Sequence, residues 1–237
     1  MERLGIFGAL NEEQAMELVR RGNPLTRLWL GLSAGTRLVL NPRDTQQVFL
    51  IAAVVDRERL EATHRRLGTS AAGRKLLAER PSIDSSAVDY ERLRALPEST
   101  LGGAYARALQ REQLDPDLFQ APPGLPEELA YVAKRIRQSH DLWHVLTGLS
   151  TSIPHEIALQ AFTVAQIDSN TSRLLVRVGQ LYFGRRYPEV RGLVKQYRAL
   201  GERAAYLLEV PWEEYWEHDL EELRRRLLRS EPAQLVA

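Results

Sequence analysis

Apolar residues in this 237-residue chain recur at three- and four-residue spacing, and no alternating stretch of useful length interrupts them. That period restricts the chain to packed helices. Asn41-Pro42-Arg43-Asp44-Thr45 opens a helix that runs to about Glu58, with Phe49, Ile51, Ala52 and Val55 as its apolar members. Further helices are predicted near 59–67, 71–79, 101–113, 126–150, 154–168, 171–184, 189–208 and 212–229. Prolines 81, 97, 116, 122, 123 and 126 divide the first half. Segment 25–40, LTRLWLGLSAGTRLVL, reads as a helix pair, a short hairpin being the alternative, and 115–127, DPDLFQAPPGLPE, as an ordered loop or linker. No repeat or low-complexity tract is present. The expectation is an all-α, single-domain helical bundle of about nine helices. Residues 1–40 are read as a helical extension of the domain formed by 41–237.

Composition narrows the chemistry. There is no cysteine, which removes disulfides and thiolate catalysis and leaves nitrogen and oxygen as the only metal ligands. A net charge of +1 offers no general attraction to nucleic acid, so no nucleic-acid partner is expected. The longest clean apolar run, Val48 to Val55, falls short of the about 20 residues a bilayer span requires. The start, MERLGIFGALNEEQ, lacks a secretory pattern and is too acidic for a transit peptide. The expectation is a cytoplasmic protein with no signal peptide or transmembrane segment.

Three of the five histidines fall in SHDLWHVLTGLSTSIPHE, residues 139–156, together with an Asp and a Glu. Pro126 suits the first position of a helix that continues to about Ser150. On its wheel, with His140 at zero, His144 lies at about 40° and Asp141 at about 100°. His140 and His144 are one turn apart, the spacing with which a helix offers two imidazoles to one ion. Gly148, at about 80°, is read as leaving space on that face. Thr151 to Pro154 form a short connection, and Glu156 falls in the first turn of the next helix. A tight hairpin would fold it back across roughly 9 Å toward His144. Two neutral imidazoles and two carboxylates would then balance a divalent cation, which matters beside an apolar cavity. Each residue also has a simpler reading. An i, i+4 His pair is often structural, Glu156 suits a helix dipole, and Asp141 can pair with Arg137. Their convergence favours a metal site.

Other segments are read as structure first. Leu142, Val145, Leu146 and Leu149 fall in one sector and are assigned to the core. Residues 157–167 are apolar on most sides and form either core or the wall of a lipid cavity. Trp212, Tyr215, Trp216, Leu220, Leu223 and Leu227 are read as a terminal amphipathic helix packed on the body, a bilayer anchor being the alternative. FGRRYPEVRG, 183–192, is read as a solvated basic loop, with phosphate headgroups as the alternative partner. His155 is read as facing solvent, a base beside the site being the alternative.

The pattern H-D-x-x-H, eleven residues, E, borne by His140, Asp141, His144 and Glu156, resembles the coenzyme Q (ubiquinone) biosynthesis family whose members carry the number four. LPESTLGGAYARAL (96–109), HDLWHVLTGLSTS (140–152) and YWEHDLEELRRRL (215–227) are similar to that family in the expected order, and GRKLLAERPSI (73–83) more weakly. The resemblance covers the chain from about residue 40. It implies a divalent metal (Fe, Mn, Zn or Mg) at His140, Asp141, His144 and Glu156, the same residues being catalytic. It implies a prenylated quinone precursor or similar isoprenoid lipid as ligand, other ubiquinone-pathway proteins as partners, and peripheral contact with a membrane, here the inner membrane of a bacterium. A homodimer stays open. The activity it implies is oxidative decarboxylation at ring carbon one of a polyprenylated hydroxybenzoate. Two alternatives are a non-catalytic prenyl-lipid-binding scaffold for pathway enzymes, and an HD-type metal phosphohydrolase using His64, His140, Asp141 and Asp168.

Overall fold

The structure, a computed structural model, describes Ala52 and residues 55–229 apart from Phe119 and Pro123. The helix pair expected at 25–40, most of the helix opened at Asn41, the apolar run at 48–55 and the division at residue 40 lie largely or wholly outside the described residues. Among the described residues there are nine α-helices and no sheet. They are α1 (Arg57–Leu67), α2 (Ala71–Glu79), α3 (Tyr90–Ala95), α4 (Leu101–Glu112), α5 (Glu127–Thr147), α6 (Ile153–Ile167), α7 (Asn170–Phe183), α8 (Val190–Arg203) and α9 (Leu220–Leu228). Two short 3-10 turns, Leu207–Glu209 and Trp212–Glu214, lie between α8 and α9.

Local chemistry explains most of the starts. The Ser70, Asp89, Thr100, Ser169 and Asp219 side chains accept from backbone N–H groups of the first turns of α2, α3, α4, α7 and α9. Asp56 adds a tertiary cap to α7, accepting from the Asn170 N–H at 2.6 Å and the Thr171 N–H at 3.2 Å. Helix α3 was not anticipated, because six residues are too few to display a period; its signal is the Asp89 cap.

The C-terminal helices depart from expectation for tertiary reasons. The helix predicted over 189–208 stops at Arg203, and the Ala205 N–H donates instead to the Leu227 carbonyl at 2.7 Å. The helix predicted over 212–229 begins only at Leu220. Upstream of it, the Leu101 and Gly102 N–H groups at the start of α4 donate to the His218 and Trp216 carbonyls, at 2.9 and 2.8 Å. Those carbonyls satisfy donors a helix start leaves open, which holds 215–219 out of a helix of its own.

Helix α5 is the spine. It packs against α1, α2, α4, α9 and the 3-10 turn at 207–209, while α6 packs against α7 and most extensively α8. Leu142, Leu146, Trp143, Phe162, Leu207 and Trp212 are fully enclosed, and Trp143 meets Phe162 edge-on at 5.9 Å to join α5 to α6. The apolar sector of α5 is therefore core, as read. The C-terminal segment packs on the body: Trp212 is enclosed, Leu220, Leu223 and Leu227 are buried, and Trp216 stacks on Tyr105 at 5.9 Å. Buried Arg135 on α5 holds the same segment, donating to the Val210 carbonyl at 2.8 Å and to Glu213.

Helices α6 and α8 approach closely at Gly201. A Cβ there would lie 2.8 Å from the Phe162 carbonyl oxygen and 2.8 Å from Ala165 Cβ, whereas one at Gly192 of the same helix would meet nothing within 4 Å. Gly201→Ala is expected to destabilise by about 1–3 kcal/mol. Gly192→Ala is expected to be neutral or to stabilise by up to roughly 1 kcal/mol through helix propensity. Thermal unfolding of the two variants, with Tm moving in opposite directions or only for Gly201→Ala, checks the assignment.

Candidate metal centre

Helix α5 ends at Gly148, whose left-handed backbone (φ 75°) reverses the chain. The space reading of Gly148 is corrected: a Cβ there would meet only Arg224 Nη2, at 3.9 Å, so backbone conformation, not crowding, calls for glycine. The reversal is tied down by four side chains. Arg224 of α9 donates from Nε to the Leu146 carbonyl (3.0 Å) and from Nη2 to the Val145 carbonyl (2.8 Å), satisfying two carbonyls that a helix end leaves open. Thr151 Oγ1 donates to Glu112 Oε2 at 2.6 Å. The Ser150 N–H donates to His155 Nδ1 at 3.1 Å. His155 thus braces the turn rather than standing free in solvent, and burial pushes its pKa down. The fourth contact is His144 Nδ1 to the Leu149 carbonyl, 3.1 Å.

The hairpin then starts α6 at Ile153, with Pro154 in its first turn and Glu156 two residues further in. Glu156 folds back as the spacing predicted. Its Oε1 lies 3.0 Å from His144 Nε2 and its Oε2 lies 3.5 Å from His140 Nε2. The two imidazoles meet edge-on, with centroids 4.9 Å apart. One ligand atom from each of His140, His144 and Glu156 falls within 4.8 Å of the others. The cluster is closed at His144, whose side chain is 8% exposed, and open at Glu156, which is 37% exposed.

The tautomer of His144 follows from its partners. A carbonyl oxygen only accepts, so Nδ1 carries a proton and Nε2 is the nitrogen left to face Glu156. Nε2 is buried and has no hydrogen-bond donor, although a carboxylate oxygen stands 3.0 Å away. A ring nitrogen and a carboxylate oxygen at that distance can share a proton or stand as neighbouring ligands of one ion. The donor set of two imidazoles and a carboxylate, without sulfur, fits a divalent transition ion.

The fields in the cluster are mutual. Burial pushes the Glu156 carboxyl up, but the two imidazoles outweigh it and hold the group well below the ordinary carboxylate range. Burial pushes His140 down, and contact with Glu156 overcomes this and raises it above its usual value. Asp141 stands apart from the three. It is buried, and burial lifts its carboxyl above the ordinary range. Burial also raises the pKa of Tyr90 and Tyr105. The structure brings His140, His144 and Glu156 together; Asp141 is adjacent but outside the set. Arg137 donates to the Gln120 carbonyl at 3.0 Å.

His64 and Asp168, required by the phosphohydrolase alternative, are engaged elsewhere. His64 Nε2 faces Glu128 at 3.6 Å, and Asp168 ends α6 in ion pairs with Arg59 and Arg173. Sequence reasoning missed Arg224 and Glu112. Each braces the hairpin from at least 39 residues away, and no local pattern marks such a contact.

Residues 19–232 match the family described as coenzyme Q (ubiquinone) biosynthesis protein Coq4. Ubiquinone biosynthesis protein COQ4 homolog 1, mitochondrial, of Culex quinquefasciatus is 31% identical over 208 residues, covering 86% of this chain and 75% of that one. The Danio rerio COQ4 homolog is 32% identical over 212 residues, covering 88% and 78%. The Pyrenophora tritici-repentis protein coq4 is 34% identical over 237 aligned positions, covering 90% and 76%. A solved structure of a ubiquinone-biosynthesis-type protein from Nostoc punctiforme superposes with a TM-score of 0.66 at 25% identity, covering 84% of this chain and 97% of that one. With the match running through nearly the whole chain and the motif histidines and glutamate gathered at one point, this chain belongs to the Coq4 family of coenzyme Q (ubiquinone) biosynthesis proteins.

Proposed function

We propose that this protein holds a divalent metal ion at His140, His144 and Glu156, and uses it on a polyprenylated hydroxybenzoate in ubiquinone biosynthesis. The reaction is oxidative decarboxylation: the bond from ring carbon one to its carboxylate breaks, carbon dioxide leaves, and a hydroxyl takes its place. The change is a two-electron oxidation of the substrate, shared between ring carbon one and the carbon that leaves as carbon dioxide, so the oxidant, a peroxide or dioxygen with two electrons, comes from outside the chain. The observation that carries the reading is the convergence of His140, His144 and Glu156, with buried His144 Nε2 free of any hydrogen bond and 3.0 Å from the carboxylate.

When bound, the ion supplies Lewis-acid polarisation of a substrate carboxylate or phenolate oxygen. The protein's residues do the rest. His144 is locked by the Leu149 carbonyl and sets the closed wall. Glu156, on the exposed side, neutralises charge and borders the approach for substrate. Asp141, its carboxyl raised by burial, lies beside the three as a buried acid of the motif.

Three outcomes follow. Purified protein loaded with Fe(II) or Mn(II) is expected to convert prenylated hydroxybenzoate under oxygen, with product read by mass spectrometry. Glu156→Ala is expected to lower turnover and metal affinity by roughly a hundredfold or more. A Glu156→Ala protein that fully restores ubiquinone in a pathway-deficient strain would refute the catalytic reading and leave the scaffold.

Metal affinity is expected to rise with pH. His140 carries its proton to above its ordinary pKa because Glu156 stands beside it. A metal must displace that proton, so binding weakens below the raised value and strengthens as pH climbs through it. Calorimetric titration in buffers of differing ionisation enthalpy measures the released proton. No net release near neutral pH would count against the site.

Arg224→Met is expected to leave the fold intact and to weaken metal binding by about tenfold, because it removes the bonds that fix the end of α5 beneath His144. Metal titration alongside thermal unfolding separates this effect from global loss of structure.

A further inference from the structure

Helix α7 has its apolar side turned the wrong way for a purely internal helix. Its inner face is short: Ser172 donates to Gln160 at 2.7 Å, and Gly179 lies so close to α6 that a Cβ would stand 2.7 Å from Ile157 Cδ1. On the opposite side Leu174, Leu181 and Tyr182 are exposed by 39%, 77% and 59%. Leu174 and Leu181 are seven residues apart and lie within about 20° of each other on the wheel, and Tyr182 flanks them. Single exposed leucines are ordinary, but three large apolar groups on one helix surface form a patch.

The charges around the patch have one sign. Arg177 lies beside Leu181 on α7, Arg185 and Arg186 follow in the turn, and Arg191 opens α8; all four are exposed. None of the four makes an ion pair among the described residues, whereas Arg173 is paired with Asp168. Across 170–192 there are five arginines against one glutamate. Of the two readings of 183–192, solvated loop and partner of phosphate headgroups, the first gives no role to arginines without an ion pair among the described residues beside an apolar patch.

We propose that α7 and the α7–α8 turn form the surface by which this protein docks on an anionic lipid bilayer, with Leu174, Leu181 and Tyr182 entering the headgroup boundary and Arg177, Arg185, Arg186 and Arg191 meeting lipid phosphates. An amphipathic helix with arginines at its polar margin lies in that plane, and the electrostatic contribution grows with each arginine near the surface. A second copy of the chain suits the patch less well, since a two-fold interface would set the same unpaired arginines against one another. The placement has a consequence for the cluster. Helix α7 backs directly onto α6 at Ile157, the residue after Glu156, so docking would bring the Glu156 end of the site near the bilayer. The docking surface stands independently of any bound metal.

Co-sedimentation of the full chain with vesicles of phosphatidylcholine alone, or with phosphatidylglycerol added, tests this. The wild-type chain is expected to bind the anionic vesicles at least about tenfold more tightly than the neutral ones, and less tightly in high salt. Leu181→Asp, and separately Arg185→Glu with Arg186→Glu, are each expected to weaken that binding by at least about tenfold. Both lie at exposed positions, so the melting temperature is expected to hold. Equal binding by wild-type and variant proteins, or equal binding to neutral and anionic vesicles, would overturn the proposal. So would a wild-type chain that ignores vesicles but forms a dimer that Leu181→Asp dissociates. Metal titrations are unaffected by any of these results, so failure of the docking surface and failure of the metal centre are told apart.

Discussion

At the end of α5 the chain passes through Gly148 in a left-handed turn, and the Leu149 carbonyl comes to face His144 Nδ1 at 3.1 Å. That contact decides which nitrogen of His144 is free. It also requires the chain to turn back at once rather than run on, which places α6 against α5 and brings Glu156 across the gap. Remove the turn and the histidines remain on one helix face, but the carboxylate is carried off along the axis. The bracing around the hairpin serves the same end. Arg224, Glu112 and His155 each satisfy a polar group of the turn, so the reversal carries few open backbone groups and has little reason to adopt another shape.

The three clustered side chains then behave as one electrostatic unit. Glu156 is held ionised by the imidazoles although burial opposes it, and Glu156 raises the pKa of His140 although burial opposes that too. Without an ion, a proton shared between imidazole and carboxylate is what keeps such a cluster balanced. A divalent cation can replace the proton and keep the pocket close to neutral, which is the condition for placing charge beside apolar walls. The gradient of exposure from His144 to Glu156 gives the unit a direction: the fixed ligand lies inside, and the adjustable one lies where another molecule can reach it.

The helices that bear the motif were legible because their period is long and their stops are chemical. Pro126, Pro154, Gly148 and the i, i+4 histidines fix α5, α6 and the hairpin between them, and Glu156 fell where spacing put it. What failed to show was set by partners distant in sequence. The stretch 215–219 has a helical period, yet its carbonyls are taken by the start of α4. Asp141 shares a wheel face with the histidines, but a face about 100° wide is too broad to aim three side chains at one point. Gly148 was recognised as necessary for the wrong cause, because a sequence shows that a side chain is absent and not whether space or a positive φ requires it. The exposed leucines of α7 were hidden for the converse reason: apolar period predicts a buried face, and only the packing shows which face is left out.

The three blocks by which the chain resembles its family are far apart in sequence, and the fold explains why they travel together. In the block at 96–109, Gly102 lies so near the block at 215–227 that a Cβ would stand 2.9 Å from the Trp216 carbonyl oxygen. Tyr105 of the first block stacks on Trp216 of the last, their ring planes 3° apart. Tyr105 in turn feels the charge of Asp141 in the motif, and Arg224 of the last block bonds the carbonyls of Val145 and Leu146 in the motif's own helix. A glycine, an aromatic pair and an arginine therefore connect the outer blocks to the two histidines through direct contact. On this arrangement the C-terminal segment is not an appended helix; it is the support under the closed wall of the site. A change in Trp216 or Gly102 would reach the cluster by moving α4 and α9 relative to α5, with no alteration to any group that could touch a metal.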